Sequence, residues 1–198
     1  MEAEAIRGVT VARRGESPTV SRPALDRDTG ADLVAAVRSG DHDAFGRLYR
    51  LFSPLVHGVL LARVPFDEVD DLVQDVFVTA LDRLGALRDT SSFGPWVAAI
   101  ARNRAMDFHR NRPRTEDLTE DIPATGLGHR DPEADRALAA IRALPEAYRE
   151  TLVFRLVEGM TGPEIARRTG LTEGSVRVNL HRGMKLLREQ LGIERRTV

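Results

Sequence analysis

From Asp32 onward the apolar residues recur at spacings of three and four, and no segment alternates apolar with polar residues as a half-buried strand would. That period restricts the chain to an all-α fold, and proline and glycine divide it into helices. A first pattern, LVAAV, stops at Ser39-Gly40, and Asp41 is placed to N-cap a second helix. The stripe of that second helix is Phe45, Leu48, Tyr49, Phe52, Val56, Val59, Leu60 and Val64. Pro54 lies inside it and removes a backbone donor, which predicts a kink or short break; Pro65 ends it. Asp67 is then expected to cap a third helix, VDDLVQDVFVTALDRL. The inner face of this helix is Val69, Leu72, Val73, Val76, Phe77, Ala80, Leu81 and Leu84, and its outer face is Asp71, Gln74, Asp75, Val78 and Asp82. After a turn at Arg88–Ser92 comes a fourth helix with Phe93, Trp96, Val97, Ile100 and Phe108 inward and Pro95 in its first turn; Pro113 stops it.

Residues 31–114 therefore read as one helical bundle with short turns. Residues 1–30 show no sustained period and read as a disordered tail. The stretch 115–137 contains seven acids, proline and glycine and reads as a flexible acidic linker. Residues 138–192 hold four further helical segments, and 193–198 form a tail. The expected architecture is thus two small helical domains. With no cysteine in 198 residues, disulfides, thiolate catalysis and cysteine-ligated metals are excluded, and a reducing cytoplasm is the natural compartment. The apolar runs are too short to span a bilayer. The five histidines show no metal-ligand spacing, and there is no phosphate-cradling glycine loop or nucleophile elbow. Neither catalysis nor a cofactor is expected.

Local chemistry is richest in MTGPEIARRTGLTEGSVRVNLHRG. Thr161 and Glu164 have the spacing of a capping box, with Pro163 in the first turn. Ile165 and the small Ala166 face inward, Gly170 supplies a left-handed turn, Leu171 plugs the corner and Thr172 caps the next helix. Val176, Leu180 and Leu187 then face the core. A short helix, a glycine turn and a second helix make a helix-turn-helix. Its second helix would carry Thr172, Glu173, Ser175, Arg177, Val178, His181 and Arg182 toward base edges in a major groove, with Lys185 and Arg188 nearer phosphate.

Charge is balanced overall, at −1, yet unevenly placed. Between 102 and 114 stand five arginines and one acid, and 138–198 hold eleven basic residues against seven acids. On the fourth helix, Asn103, Asp107, Arg110 and Arg114 form a stripe. Trp96 can stack on a base or serve the core, and Arg104 and its neighbours can hold phosphates or simply complement a helix C-terminus.

These segments resemble the extracytoplasmic-function (ECF) sigma factors of bacterial RNA polymerase. DAFGRLYRLFSPLVHGVLL and DDLVQDVFVTAL are similar to the start and the polymerase-binding segment of the sigma-2 domain. FGPWVAAIARNRAMDFHRNRPR resembles its promoter-melting helix, and 144–191 resemble the sigma-4 domain. The resemblance implies a protein that binds core RNA polymerase, at the beta-prime clamp and beta flap, and recognises the −10 and −35 elements of promoter DNA during initiation. It implies core-polymerase contacts at Asp71, Leu72, Gln74, Asp75 and Val78. It also implies −10 contacts at Asp89, Ser91, Ser92, Trp96, Asn103 and Asp107, to which Arg104 and Arg110 add from their charge, and −35 contacts through the helix-turn-helix. Asp75 stands where Glu is usual, Val178 and Asn179 where Ser and Arg are usual, and Gly183 where Ala is common, the last lowering helix propensity by about 1 kcal/mol. An anti-sigma factor is a further partner class. Two other readings stay open: a dimeric helix-turn-helix regulator with residues 31–112 as its sensing domain, and a helical scaffold that never touches DNA.

Overall fold

A computed structural model describes residues 27–111 and 131–193. Among the described residues all regular structure is helical, in eight α-helices and three short 3-10 turns. The helices are α1 (Arg27–Arg38), α2 (His42–Leu61), α3 (Val69–Asp82), α4 (Phe93–Asn111), α5 (Pro132–Ala143), α6 (Glu146–Leu156), α7 (Gly162–Thr169) and α8 (Glu173–Gln190). Most of the tail and linker expectations, at 1–26, 112–130 and 194–198, fall outside the described residues.

Punctuation acts where the sequence places it. Gly40 ends the first helix with a φ of 98°, and the Asp41 carboxylate accepts from the Ala44 N–H at 3.0 Å. That bond holds the Asp41 pKa below the usual carboxylate value. Two boundaries differ from expectation. Helix α1 starts at Arg27, inside the stretch read as a tail, because tertiary packing extends it: Gly30 is buried, with the Phe52 ring 3.2 Å from where a Cβ would stand. Helix α5 starts at Pro132, inside the stretch read as linker. There Asp131 caps it by accepting from the Glu133 N–H at 3.0 Å, and Ala137, Leu138 and Ile141 anchor it in the core.

The break expected at Pro54 is absent, and α2 runs continuously through it. Pro54 is buried with Leu55 and Val56, while Arg50, whose carbonyl loses its partner, lies on the exposed side; packing on one side and access to water on the other accommodate the missing bond. The cap expected from Asp67 is also replaced. Phe66–Glu68 form a 3-10 turn, and Glu68 occupies the N-cap of α3 without a side-chain capping bond.

Helix α2 is the hub of the first unit, packed on α1, α3 and α4, and α6 is the hub of the second, packed on α5, α7 and α8. A Cβ at Gly183 would stand 3.1 Å from both Leu152 Cδ1 and Tyr148 Cβ. This glycine, a poor choice for helix propensity, is what lets α8 lie close on α6. The two units also meet, α2 against α6 and α4 against α7, and one buried apolar cluster runs through both. No described helix is long and apolar enough to cross a membrane.

Candidate nucleic-acid and partner interfaces

Three surfaces carry the side chains singled out from the sequence. The first is the outer face of α3. Asp71, Gln74, Asp75 and Val78 are exposed there, at the three- and four-residue spacing of one helix face. Leu72 is not among them: it is buried in the core, so its side chain holds α3 in place and is corrected from a contact residue to a packing residue. Leu81 moves the other way. Assigned to the inner face, it is 43% exposed beside Val78 at 60%, because the helix ends one residue later and the following turn brings Leu84 into the core instead. The face is therefore acidic with an apolar centre.

The second surface joins the Asp89–Ser92 turn to α4. Asp89 organises the turn by accepting from the Ser91 N–H at 3.0 Å, from Ser91 Oγ at 2.7 Å and from Ser92 Oγ at 2.6 Å. Trp96 is half-buried with its ring 5.7 Å from that of Phe93, so one face serves the core. Asn103 and Arg110 are exposed, and Arg110 donates to Asp107 at 2.8 Å. Arg104 does not stand free beside them. Its guanidinium pairs with Asp75 of α3, joining a residue assigned to DNA with one assigned to the polymerase. Met106, 66% exposed between Asn103 and Arg110, escaped the sequence reading; its signal was the interval of three and four that places it in the same stripe.

Beyond Gly170 lies the third surface. The capping box is present in full, with Thr161 N–H donating to Glu164 Oε2 at 2.8 Å and Glu164 N–H donating to Thr161 Oγ1 at 3.4 Å. The backbone bond from Thr161 holds the Glu164 pKa down. Gly170 takes φ 76°, and Thr172 Oγ1 accepts from the Ser175 N–H at 3.1 Å to start α8. Thr172, Glu173, Ser175, Arg177, Val178, His181, Arg182 and Lys185 are all exposed, while Val176 and Leu187 are buried. Leu171, expected as the corner plug, is 41% exposed. Pro95 of α4 packs on the turn instead, with its Cγ 3.1 Å from where a Gly170 Cβ would stand.

Residues 48–115 match the family model of sigma-70 region 2, and residues 134–187 match sigma-70 region 4. Relatives include the ECF RNA polymerase sigma factor BldN of Streptomyces coelicolor, 32% identical over 84% of this chain and 68% of that one. RNA polymerase sigma factor CarQ of Myxococcus xanthus is 33% identical over 78% of this chain and 93% of that one. The chain belongs to the ECF sigma factor family. As an RNA polymerase sigma factor it works in transcription initiation. Among solved structures, CnrH in complex with the cytosolic domain of CnrY is similar to this sigma factor with a TM-score of 0.59 and 27% identity, over 84% of this chain and 99% of that one. The sigma factor RpoE from Bartonella quintana, in complex with the anti-sigma factor NepR, shares the fold at 21% identity and a TM-score of 0.52, over 76% and 98% of the two chains.

Proposed function

We propose that this sigma factor docks on core RNA polymerase through the outer face of α3 and reads promoter DNA through the other two surfaces. The observation that carries the proposal is the separation of chemistry. One exposed face is acidic with Val78 and Leu81 at its centre, which suits a basic protein surface and repels DNA. The start of α8 presents arginine, histidine and hydroxyl groups beyond a fully capped turn, which suits a major groove. Asp71, Gln74, Asp75 and Val78 contact the polymerase, and Leu81 joins them.

Arg177 is placed for bidentate bonding to guanine O6 and N7, worth about 1–3 kcal/mol of discrimination. Thr172, Glu173, Ser175, Val178, His181 and Arg182 complete the −35 surface, and Lys185 meets phosphate. At the −10 element, unstacked bases of one strand are held by the Asp89–Ser92 turn, the free face of Trp96, Asn103 and Arg110. Extruding each base costs a few kcal/mol, which the captured contacts offset. The protein itself performs no chemistry and acts in the cytoplasm, where its polymerase is. A cytosolic inhibitory protein is a further partner, a reading supported by the CnrY domain bound to CnrH. The test is to add the purified chain to core polymerase and measure promoter-specific transcription. Failure either to bind core or to direct initiation defeats the proposal.

A further inference from the structure

Resting on that functional reading, we infer that Val178 is a specificity-determining residue of the −35 surface. It reads the 5-methyl group of one thymine in the major groove, over a notch that Gly174 leaves open.

The surroundings of Val178 on α8 carry this. Among the exposed side chains of Glu173–Gln190 it is the one apolar group. Helix side chains lean back over the turn on their N-terminal side, so Val178 lies over residues 174 and 175, its neighbours at i−4 and i−3. Gly174 has no side chain there. Ser175 is short, and its Oγ lies 2.8 Å from Thr172 Oγ1, drawn toward the cap. The methyls of Val178 therefore stand uncovered beside bare backbone. No packing inside the protein requires this glycine. A Cβ at Gly174 would meet nothing nearer than Thr172 Oγ1 at 3.9 Å, an ordinary contact. Gly183 on the same helix is the contrast, since Leu152 and Tyr148 crowd it at 3.1 Å. Glycine is the poorest helix former after proline, and its place in the first turn of α8 is explained when something outside the protein must approach that turn closely.

The groups around the notch define what it fits. Arg182 lies one turn further along the same face, His181 stands beside it, and Arg177 adjoins Val178 in sequence. All three are exposed, and none is held by an ion pair or a side-chain hydrogen bond to another described residue. The site is thus an apolar spot with uncommitted donors at its edge. In the major groove thymine alone sets a methyl group next to an acceptor, its O4. Cytosine presents an amino donor and no methyl, adenine an amino donor beside N7, and guanine two acceptors with no methyl. Only thymine matches both halves of the site. The spot is also held in position before DNA arrives. A β-branched side chain on a helix is stiff about its first torsion, and Thr172 fixes the start of α8 by accepting from the Ser175 N–H at 3.1 Å. Arg177 and Val178 then divide the reading between them, the first taking the polar edge of guanine and the second the methyl of thymine.

The test uses the full chain bound to core polymerase. Duplexes with a randomised −35 region are selected by binding, and each thymine of the selected sequence is then replaced in turn by deoxyuridine, which lacks only the 5-methyl group. At one position the dissociation constant should rise about fourfold, the effect of one methyl group no longer taken out of water. Val178→Ser is an exposed substitution that leaves the fold intact. It should bind the thymine and deoxyuridine duplexes alike, and the ratio within one variant cancels any change in docking. A selected element without thymine overturns the inference. So does affinity indifferent to every deoxyuridine replacement, or a thymine preference that survives in Val178→Ser. A chain that does not bind core, or a complex that binds every duplex alike, instead defeats the functional reading, and this inference falls with it.

Discussion

Asp75 is the residue on which a docking role and a structural role most directly compete, because it faces outward on α3 and also pairs with Arg104 of α4. The structure separates the two roles by magnitude. The paired side chains are 49% and 42% exposed, and ion pairs of that exposure contribute about 0.2–1 kcal/mol. Asp75→Ala should therefore lower the melting temperature by no more than about 4 °C in a chain of this size. Arg104→Ala breaks the same pair but also removes a buried Nε that has no hydrogen-bond partner, an orphan costing about 1–3 kcal/mol in place. It should leave stability nearly unchanged. Binding to core polymerase should split the two variants further. If Asp75 touches the polymerase directly, its truncation weakens affinity tenfold or more, about 1.4 kcal/mol, whereas Arg104→Ala should keep the dissociation constant within about twofold. Fluorescence anisotropy of the labelled chain titrated with core, beside calorimetric melts of both single variants and the double variant, completes the cycle. If Arg104→Ala weakens core binding as much as Asp75→Ala, and the charge-swapped pair Asp75→Arg with Arg104→Asp restores it, then Asp75 acts only by tying α3 to α4.

Leu81→Glu should weaken core binding severalfold while leaving the melting temperature within about 2 °C, since the side chain is exposed at the helix end; equal losses in both measurements would return Leu81 to the core. Arg177→Ala should reduce discrimination between native and altered −35 sequences by about 1–3 kcal/mol with core affinity unchanged, as read by competition between duplexes. Thr161→Ala should cost about 1 kcal/mol through its missing cap. The capping box also has a pH signature. Glu164 has a lowered pKa in the folded chain, so its contribution is complete above the usual carboxylate range and disappears as pH falls through that range to the folded value. Melts between pH 7 and pH 3 should show that part of the acid sensitivity vanish in Glu164→Gln, whose amide can still cap; an unaltered acid profile would refute the assignment.

What was legible in the sequence is what neighbours along the chain decide. The stop at Gly40, the cap at Asp41, the capping box at Thr161 and Glu164 and the left-handed Gly170 each depend on residues no more than four apart, and each is present. The exposed row from Thr172 to Lys185 followed from the same local period. Leu81 and Leu171 were misplaced because period alone cannot say where a face stops being covered, whereas Leu72 is buried as its period requires and only the family resemblance made it a contact residue. The deeper omissions are long-range. Gly58 resembles a helix defect until Phe154 is laid on it, and Glu150 resembles a solvated acid until Arg63 and Arg102, far away in sequence, close around it. Pro54 misled for a related reason: surroundings, rather than the ring alone, decide whether a helix breaks.

The end of α4 and the cap of α5 have one more consequence. Residues 112–130 connect Asn111 to Asp131, and any peptide spans at most about 3.3–3.6 Å per residue. Duplex DNA rises about 3.4 Å per base pair, so one residue of tether and one base pair of spacer are nearly equal measures. The whole connection reaches about 70 Å at most, the length of about 20 base pairs, so any wider separation of two DNA sites held by the two units would have to be met by the units themselves. The chain thus carries its own ruler: every residue deleted from the connection should shorten by about one base pair the longest promoter spacer it can bridge.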